Sequence, residues 1–438
     1  MGSARVVITG VGAVSPLGNS SGHLWEGLCA GRCGIERIRA FEPSGFTCQI
    51  AGEVKEFNIR DYIPKSFRKS TKLMSRDIEL SIAAAKEAFA DARIVTKADE
   101  GGQVNLDSQR TAIVLGAGLI SCDLVELGPA IAASVTDGRF DIHKWGRDGL
   151  ELVTPLWLLK YLPNMLACHI GIIHDIQGPS NTITCAEASG LLAISEARDI
   201  IARGDSDIAL AGAAEAKVNP IVMIRQMLLN RATSEYNDKP HEACRPFDAN
   251  AKGSVFGEGA GMLVLENMEK AKGRGAKIYA EIVGAGESSN LNAAYEHLEA
   301  GGKGMQLAVE QALREAGIRP QELDLVIPHG TGIPQDDLAE SKALEIVLGD
   351  TVKGVPVLPT KSMVSNTGAA SGAIDVIAAI YVMRHGKIPA ARNCKKKASA
   401  CNLNINLKAV EKDIHYVLCC SYTYGGQTAA IILSRIDE

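Results

Sequence analysis

The stretch that decides the reading is NTITCAEASGLLAISEA, Asn181 to Ala197. Thr182, Ile183 and Thr184 favour an extended strand, because a branched Cβ packs well on a pleated surface and loses rotamer freedom in a helix. The small residues Ala186, Ala188, Ser189 and Gly190 then permit a tight turn. From Leu191 onward apolar side chains recur at helical spacing, so an amphipathic helix is predicted to follow. A side chain at such a strand-to-helix junction faces the amide end of the new helix, which stabilises negative charge. Glu187 stands at the turn, and Cys185, two residues earlier, is expected to point to the other side of the segment.

Working outward, short β-branched runs bounded by glycine alternate with helical stretches: RVVITGVG at Arg5, TAIVLGAG at Thr111, IALAGAAEA at Ile208 and GMLVLE at Gly261. Such alternation predicts strands covered by helices on both faces, an α/β protein. A second series follows Glu266, with KIYAEIVGAGESS at Lys277, LDLVIPHGTG at Leu323, VPVLPTKSM at Val355 and YVLCCSYTYGGQTAAIIL at Tyr416. RVVITGVGAVS and IYAEIVGAGESS share the order of strand, glycine turn and small polar residues. That order suggests duplicated halves, residues 1–270 and 271–438. LSIAAAKEAFADARI (Leu80 to Ile94) and GMQLAVEQALREAGI (Gly304 to Ile318) carry apolar residues three and four apart and are predicted to be covering helices.

Composition narrows the function. The chain has 438 residues, 46% of them hydrophobic, with 46 Lys and Arg against 51 Asp and Glu. The net charge of −5 leaves no basic excess of the kind that attracts nucleic acid or an anionic membrane. The apolar stretch Thr154 to His174 is interrupted by Lys160, Pro163 and His169, so it is read as buried or interfacial protein and not a membrane span. Eleven cysteines without a CxxC pair, and an N-terminus without a signal pattern, predict reduced thiols and a cytoplasmic location. CKKKASAC (Cys394 to Cys401) is read as a solvated loop, and no metal is assigned.

The motifs resemble those of the β-ketoacyl-(acyl carrier protein) synthases, a type II family of the thiolase superfamily. That family places AC, one variable residue and SG at the same junction after a GP pair, and here the run is GPSNTITCAEASG. VVITGVGAVSPLG, PNMLACHIG, RPFDANAKGSVFGEGAG, PHGTGIPQDDLAE, TKSM and YGGQT appear in the family's order across nearly the whole chain. The resemblance implies a thiolase-like fold of two similar halves in a five-layered αβαβα architecture. It also implies that Glu187 occupies the nucleophilic cysteine's position, that His329 is the first catalytic histidine, and that Lys361 is the structural lysine. Asn366 stands where the second histidine falls, and Tyr424 with Gly425 replaces the phenylalanine gate that supplies an oxyanion-hole amide.

The family's substrates ride on the phosphopantetheine of an acyl carrier protein, with no other cofactor, in fatty acid or polyketide biosynthesis. The resemblance implies that carrier protein as a partner, together with a dimer, either of identical chains or with an active ketosynthase, formed through the strand before the elbow. A carboxylate attacking a thioester gives a mixed anhydride, a higher-energy acyl group than its precursor, so self-acylation at Glu187 is unfavourable. Three readings follow. The first is a non-condensing subunit analogous to a chain-length factor. The second is an enzyme using Glu187 with His329 for decarboxylation or acid/base chemistry. The third is a purely structural assembly subunit.

Overall fold

The computed structural model describes residues 4–290 and 297–436. Eleven strands form one sheet: β1 (Val6–Val14), β2 (Thr111–Ala117), β3 (Ser180–Ile183), β4 (Ile208–Ala216), β5 (Glu258–Asn267), β6 (Ala280–Ser289), β7 (Leu325–Ile327), β8 (Pro356–Val357), β9 (Asn404–Ile405), β10 (Tyr416–Tyr422) and β11 (Gln427–Ser434). Their spatial order is β9-β8-β7-β10-β11-β6-β1-β5-β4-β2-β3. The run β3-β2-β4-β5-β1 and the run β8-β7-β10-β11-β6 have the same internal order, third, second, fourth, fifth, first. Parallel and antiparallel pairings also match between the runs. They meet where β1 pairs antiparallel with β6, Val7 opposite Glu281 and Ile8 opposite Ala280.

Helices cover both faces, which is why the strands read as apolar runs and not as alternating ones. Along β5, Ala260, Met262 and Val264 join one core with Ile78, Ile82 and Phe89 of α1 (Arg76–Asp91), where α2 (Met165–His174) also packs. Leu263 and Leu265 point the other way, into a core with Leu191 and Ile194 of α3 (Ser189–Ala202). The two cores are the period-two consequence of the pleat. On the far side α4 (Lys303–Ala316) packs on β6 and β11, with α5 (Pro334–Leu348) against it. Helix α6 (Ala370–His385) packs on α3 and touches both β5 and β10, and from Ala370 to Ile380 every residue is buried. A helix buried all round is expected to be apolar all round, and from Ala370 to Ile380 only Ser371 and Asp375 break that pattern. Helices α3 and α6 thus form the central layer of a thiolase-like α/β fold, with strands on either side and α1, α2, α4 and α5 outside. The two sequence-predicted covering helices correspond to α1 and α4.

The echo between β1 and β6 extends to detail. Each strand carries a bulge, between Ile8 and Gly10 and between Ile282 and Gly284. At Gly12 an added Cβ would lie 2.1 Å from the Ala84 carbonyl oxygen of α1, and at Gly286 1.8 Å from that of Ala308 in α4. Only glycine lets strand and helix approach so closely.

Leu156, Leu158 and Ile172 of the apolar stretch are exposed, while Leu166, Ile170 and Ile173 are buried, so the segment is half core and half apolar surface. No helix among the described residues is long and apolar enough to cross a membrane. The CKKKASAC reading needs correction: Lys395, Lys396 and Lys397 are exposed, but Cys394 and Cys401 are buried, and burial pushes both thiols up.

Candidate active site

The elbow forms as the sequence predicts. Strand β3 ends at Ile183, Ala186 to Ala188 make one tight helical turn, and α3 begins at Ser189. The Ser189 hydroxyl accepts the Cys185 amide at 2.7 Å and lies 3.2 Å from the Ala117 carbonyl, to which it donates. The sharp change of direction falls on Ala186, whose φ of 43° is left-handed. For a residue with a Cβ that conformation costs about 1–2 kcal/mol, and such strain is typical of functional sites.

Ala186 also separates the two candidate side chains. Two residues apart on a regular strand share a face, so an extended segment would have pointed Cys185 and Glu187 the same way; the left-handed residue between them prevents it. Glu187 is 1% exposed and lies among the charges of Lys217 and Arg231. Cys185 is half-buried, feels the charge of Glu287, and has its thiol raised by burial.

Burial pushes the Glu187 carboxyl up, but Lys217 and Arg231 outweigh it, with smaller help from Thr423, and hold it below the usual carboxylate range. Lys217, one residue beyond β4, has its ammonium 3.8 Å from Glu187 Oε1 and 3.0 Å from Glu215 Oε1. Burial works to lower its pKa, and Glu215 and Glu187 hold it above the usual lysine value. Elbow and counter-ion therefore form a charged pair in the interior.

His329 follows β7 in a loop whose backbone is gripped by the acidic start of α5. Glu340 accepts the amides of His329 and Gly330 at 2.7 and 2.8 Å, and Asp337 accepts that of Thr331 at 2.8 Å. The imidazole is 1% exposed and stands edge-on to Tyr422, with ring centroids 4.5 Å apart. Burial, then Lys361, Arg231 and Lys217, keep it well below the usual histidine pKa, so it is neutral. Glu187 and His329 thus feel the same two cations, Lys217 and Arg231.

Lys361 pairs with Asp375 of α6 at 2.9 Å, both fully buried. Asn366 is 0% exposed; its side-chain oxygen accepts the Gly368 amide at 3.0 Å, and its Nδ2 has no hydrogen-bond partner. Tyr424 lies under the guanidinium of Arg231, 4.7 Å from Cζ to the ring centre, and Arg231 pairs with Asp336 at 3.0 Å. Gly425 is in the turn closed by the Gly426 amide on the Thr423 carbonyl, 2.9 Å.

Lys217, Glu215, Arg231 and Ser421 escaped the sequence reading. The signal for the first two was present: in IALAGAAEAKVNP a glutamate and a lysine end a strand with no other charge along it, and buried charges come in pairs. Ser421 lies far from the elbow in the chain and meets it only through the fold.

A thiolase-like α/β scaffold whose strand-to-helix elbow is joined to a buried histidine through Ser421, which touches the Glu187 carbonyl and His329 Nδ1, defines a ketosynthase-like centre. Residues 3–271 match the family model "Beta-ketoacyl synthase, N-terminal domain" and residues 279–395 match "Beta-ketoacyl synthase, C-terminal domain". The chain belongs to the β-ketoacyl synthase family. It is 33% identical over 440 residues, all of both chains, to the 3-oxoacyl-[acyl-carrier-protein] synthase 2 of Vibrio cholerae. Among solved structures it resembles the ishigamide ketosynthase/chain length factor, at 29% identity and a TM-score of 0.84 over 99% of this chain and 100% of that one. It also resembles a type II polyketide synthase ketosynthase in complex with its acyl-carrier protein and bound to a hexaketide, at 26% identity and a TM-score of 0.85 with the same coverage.

Proposed function

We propose that this chain is a non-condensing subunit of fatty acid or polyketide synthesis, analogous to a chain-length factor, which pairs with a cysteine-bearing ketosynthase and shapes its handling of carrier-bound acyl chains. The observation that carries the reading is the ionised Glu187 at the elbow apex, held by Lys217. A carboxylate held in its charged form is a poor acceptor for an acyl group and repels the carboxylate of a malonyl thioester.

His329 supports the same reading. In this reading the ring proton sits on Nδ1, because Ser421 gives its one hydroxyl proton to the Glu187 carbonyl at 2.7 Å and stands 3.4 Å from His329 Nδ1 as an acceptor. Nε2 of the neutral ring is then a lone pair and not the donor that an enolate oxygen needs. Asn366 keeps a donor, Nδ2, in the second histidine's place, but it carries no charge. In this reading Glu187, His329, Asn366 and Lys361 hold the shape of the centre, and Tyr424 with Gly425 closes it.

The experiment is reconstitution. The chain is co-expressed with a cysteine-bearing homologue and supplied with acyl and malonyl carrier proteins. The expected result is a stable heterodimer whose product length differs from that of the homologue alone, with acyl transfer confined to the homologue. Identical products with and without this chain would contradict it.

The acid/base reading also has an observation in its favour, since an ionised carboxylate whose two oxygens have no close hydrogen-bond partner can take up a proton. It requires Glu187→Gln to abolish turnover of a carrier-bound substrate that the unaltered protein converts alone.

A further inference from the structure

Lys217 carries an inference beyond its role as a counter-ion. Its side chain is 3% exposed and is seated by three features. Glu215 Oε1 stands 3.0 Å from the ammonium, while Glu215 Oε2 accepts the Ala369 amide at 2.7 Å, which fixes the carboxylate. The ring of Phe256 lies 5.7 Å from Nζ. The loop opposite is bare where the pair passes: a Cβ on Gly368 would stand 1.9 Å from Glu215 Oε2 and 2.3 Å from Lys217 Cε. Lys217 and Glu215 therefore form a rigid unit, built independently of Glu187.

Glu187 is bound to this unit in a different manner. At 3.8 Å its carboxylate is outside hydrogen-bond reach of the ammonium, and neither buried oxygen has a close hydrogen-bond partner, Thr423 helping only weakly beside the two cations. Other buried carboxylates in this interior are tied down: Glu340 by two amides, Asp337 by those of Thr331, Gly332 and Phe247, and Glu258 by Val54 and Arg76. Glu187 is held by charge, in the manner of a bound anion and not of a structural brace. Asn366 adds an unpartnered, fully buried donor on the loop whose Gly368 packs on Lys217.

We propose that Lys217, seated on Glu215, is a carboxylate-binding subsite which the chain fills with its own Glu187. The elbow side chain occupies the place that a small carboxylate, or the carboxylate end of a carrier-bound malonyl group, would take. This rests on reading Glu187 as a resting anion and not as an acyl acceptor. It adds that removing Glu187 leaves a site for a free carboxylate, not an apolar hole.

The test uses the full-length protein with Glu187→Ala, titrated with acetate and with acetamide, its neutral isostere, at constant ionic strength. The expected result is a saturable rise in melting temperature with acetate and none with acetamide, lost in the double variant Glu187→Ala, Lys217→Met. No acetate effect, an equal acetamide effect, or an effect that survives in the double variant would overturn the proposal. Where Glu187→Ala does not fold, the unaltered protein supplies the second measurement. Its Glu187 carboxyl, followed by ¹³C NMR, is expected to titrate below the ordinary glutamate value, and titration above that value overturns the proposal. Acetate binding together with acylation of the unaltered chain would sink the functional reading and leave the subsite; no acetate effect on a chain that refuses acyl groups would do the reverse.

Discussion

Ser421 donates its hydroxyl proton to the backbone carbonyl of Glu187 at 2.7 Å, tying strand β10 to the elbow across 234 residues of sequence. The bond matters because the carbonyl belongs to the turn that a left-handed Ala186 strains. A buried polar group that loses its partner keeps its desolvation cost.

Ser421→Ala is therefore expected to lower stability by about 1–3 kcal/mol, read as a fall in the urea midpoint with an unchanged slope. A neutral result would mean that the turn holds its shape without strand β10.

The Lys217 pair makes an asymmetric prediction. Lys217→Met leaves Glu215 and Glu187 buried without their shared cation, and breaking a buried pair in this way costs about 3–5 kcal/mol. Glu187→Gln removes one carboxylate while Lys217 keeps Glu215 at 3.0 Å, so it is expected to cost much less. Chemical denaturation of both variants checks the order, and equal losses would contradict the geometry.

Glu340 sets a pH dependence. Burial raises its carboxyl from 4.5 to about 8 despite the two amides it accepts. The folded value lies above the unfolded one, so the group's stabilisation is complete below pH 4.5, declines as pH rises, and is lost above about 8. Glu340→Gln cannot ionise, and its stability relative to the unaltered protein is expected to improve with pH across that window, by up to about 1.4 kcal/mol per pH unit. Denaturant titrations at several pH values would reveal it; parallel curves would show that Glu340 is ionised in the folded protein.

Tyr424 reports on closure of the centre. Its ring is stacked under a guanidinium that Asp336 anchors, a contact of about 0.5–2 kcal/mol, and it sits on the turn held by the Gly426 amide. Tyr424→Ala is expected to speed hydrogen exchange at Gly426 while leaving the β10 and β11 ladder protected. Unchanged exchange would show that the turn closes without the stack.

Much of this was legible before the structure, for identifiable reasons. The elbow could be read because branched, small and amphipathic residues follow one another in a single short segment, so local chemistry alone dictates strand, turn and helix. Covering helices α1 and α4 declared themselves by their spacing. The five layers were implied only by resemblance, since no local pattern shows that α3 and α6 lie between two runs of strands. We propose that these runs are duplicate halves dividing at 270/271, supported by their shared strand order and by the matched glycines Gly12 and Gly286. The electrostatics of the site lay out of reach. Whether Glu187 is neutral or charged depends on Lys217, 30 residues further along the chain, and on Arg231, both brought to it by tertiary packing. Cys185 and Glu187 lie in different surroundings, Cys185 half-buried near Glu287 and Glu187 among Lys217 and Arg231, with the left-handed Ala186 between them where an extended segment would have put both on one face.

The central claim is that the apex of the elbow carries a charged carboxylate that takes no acyl group. Intact-mass spectrometry of the purified chain after incubation with an acyl carrier protein bearing a thioester-linked acyl group tests it most directly. The account predicts an unchanged mass for this chain, with a cysteine-bearing ketosynthase in the same mixture gaining the acyl group. A stoichiometric acyl adduct that maps to Glu187 or Cys185 would contradict it.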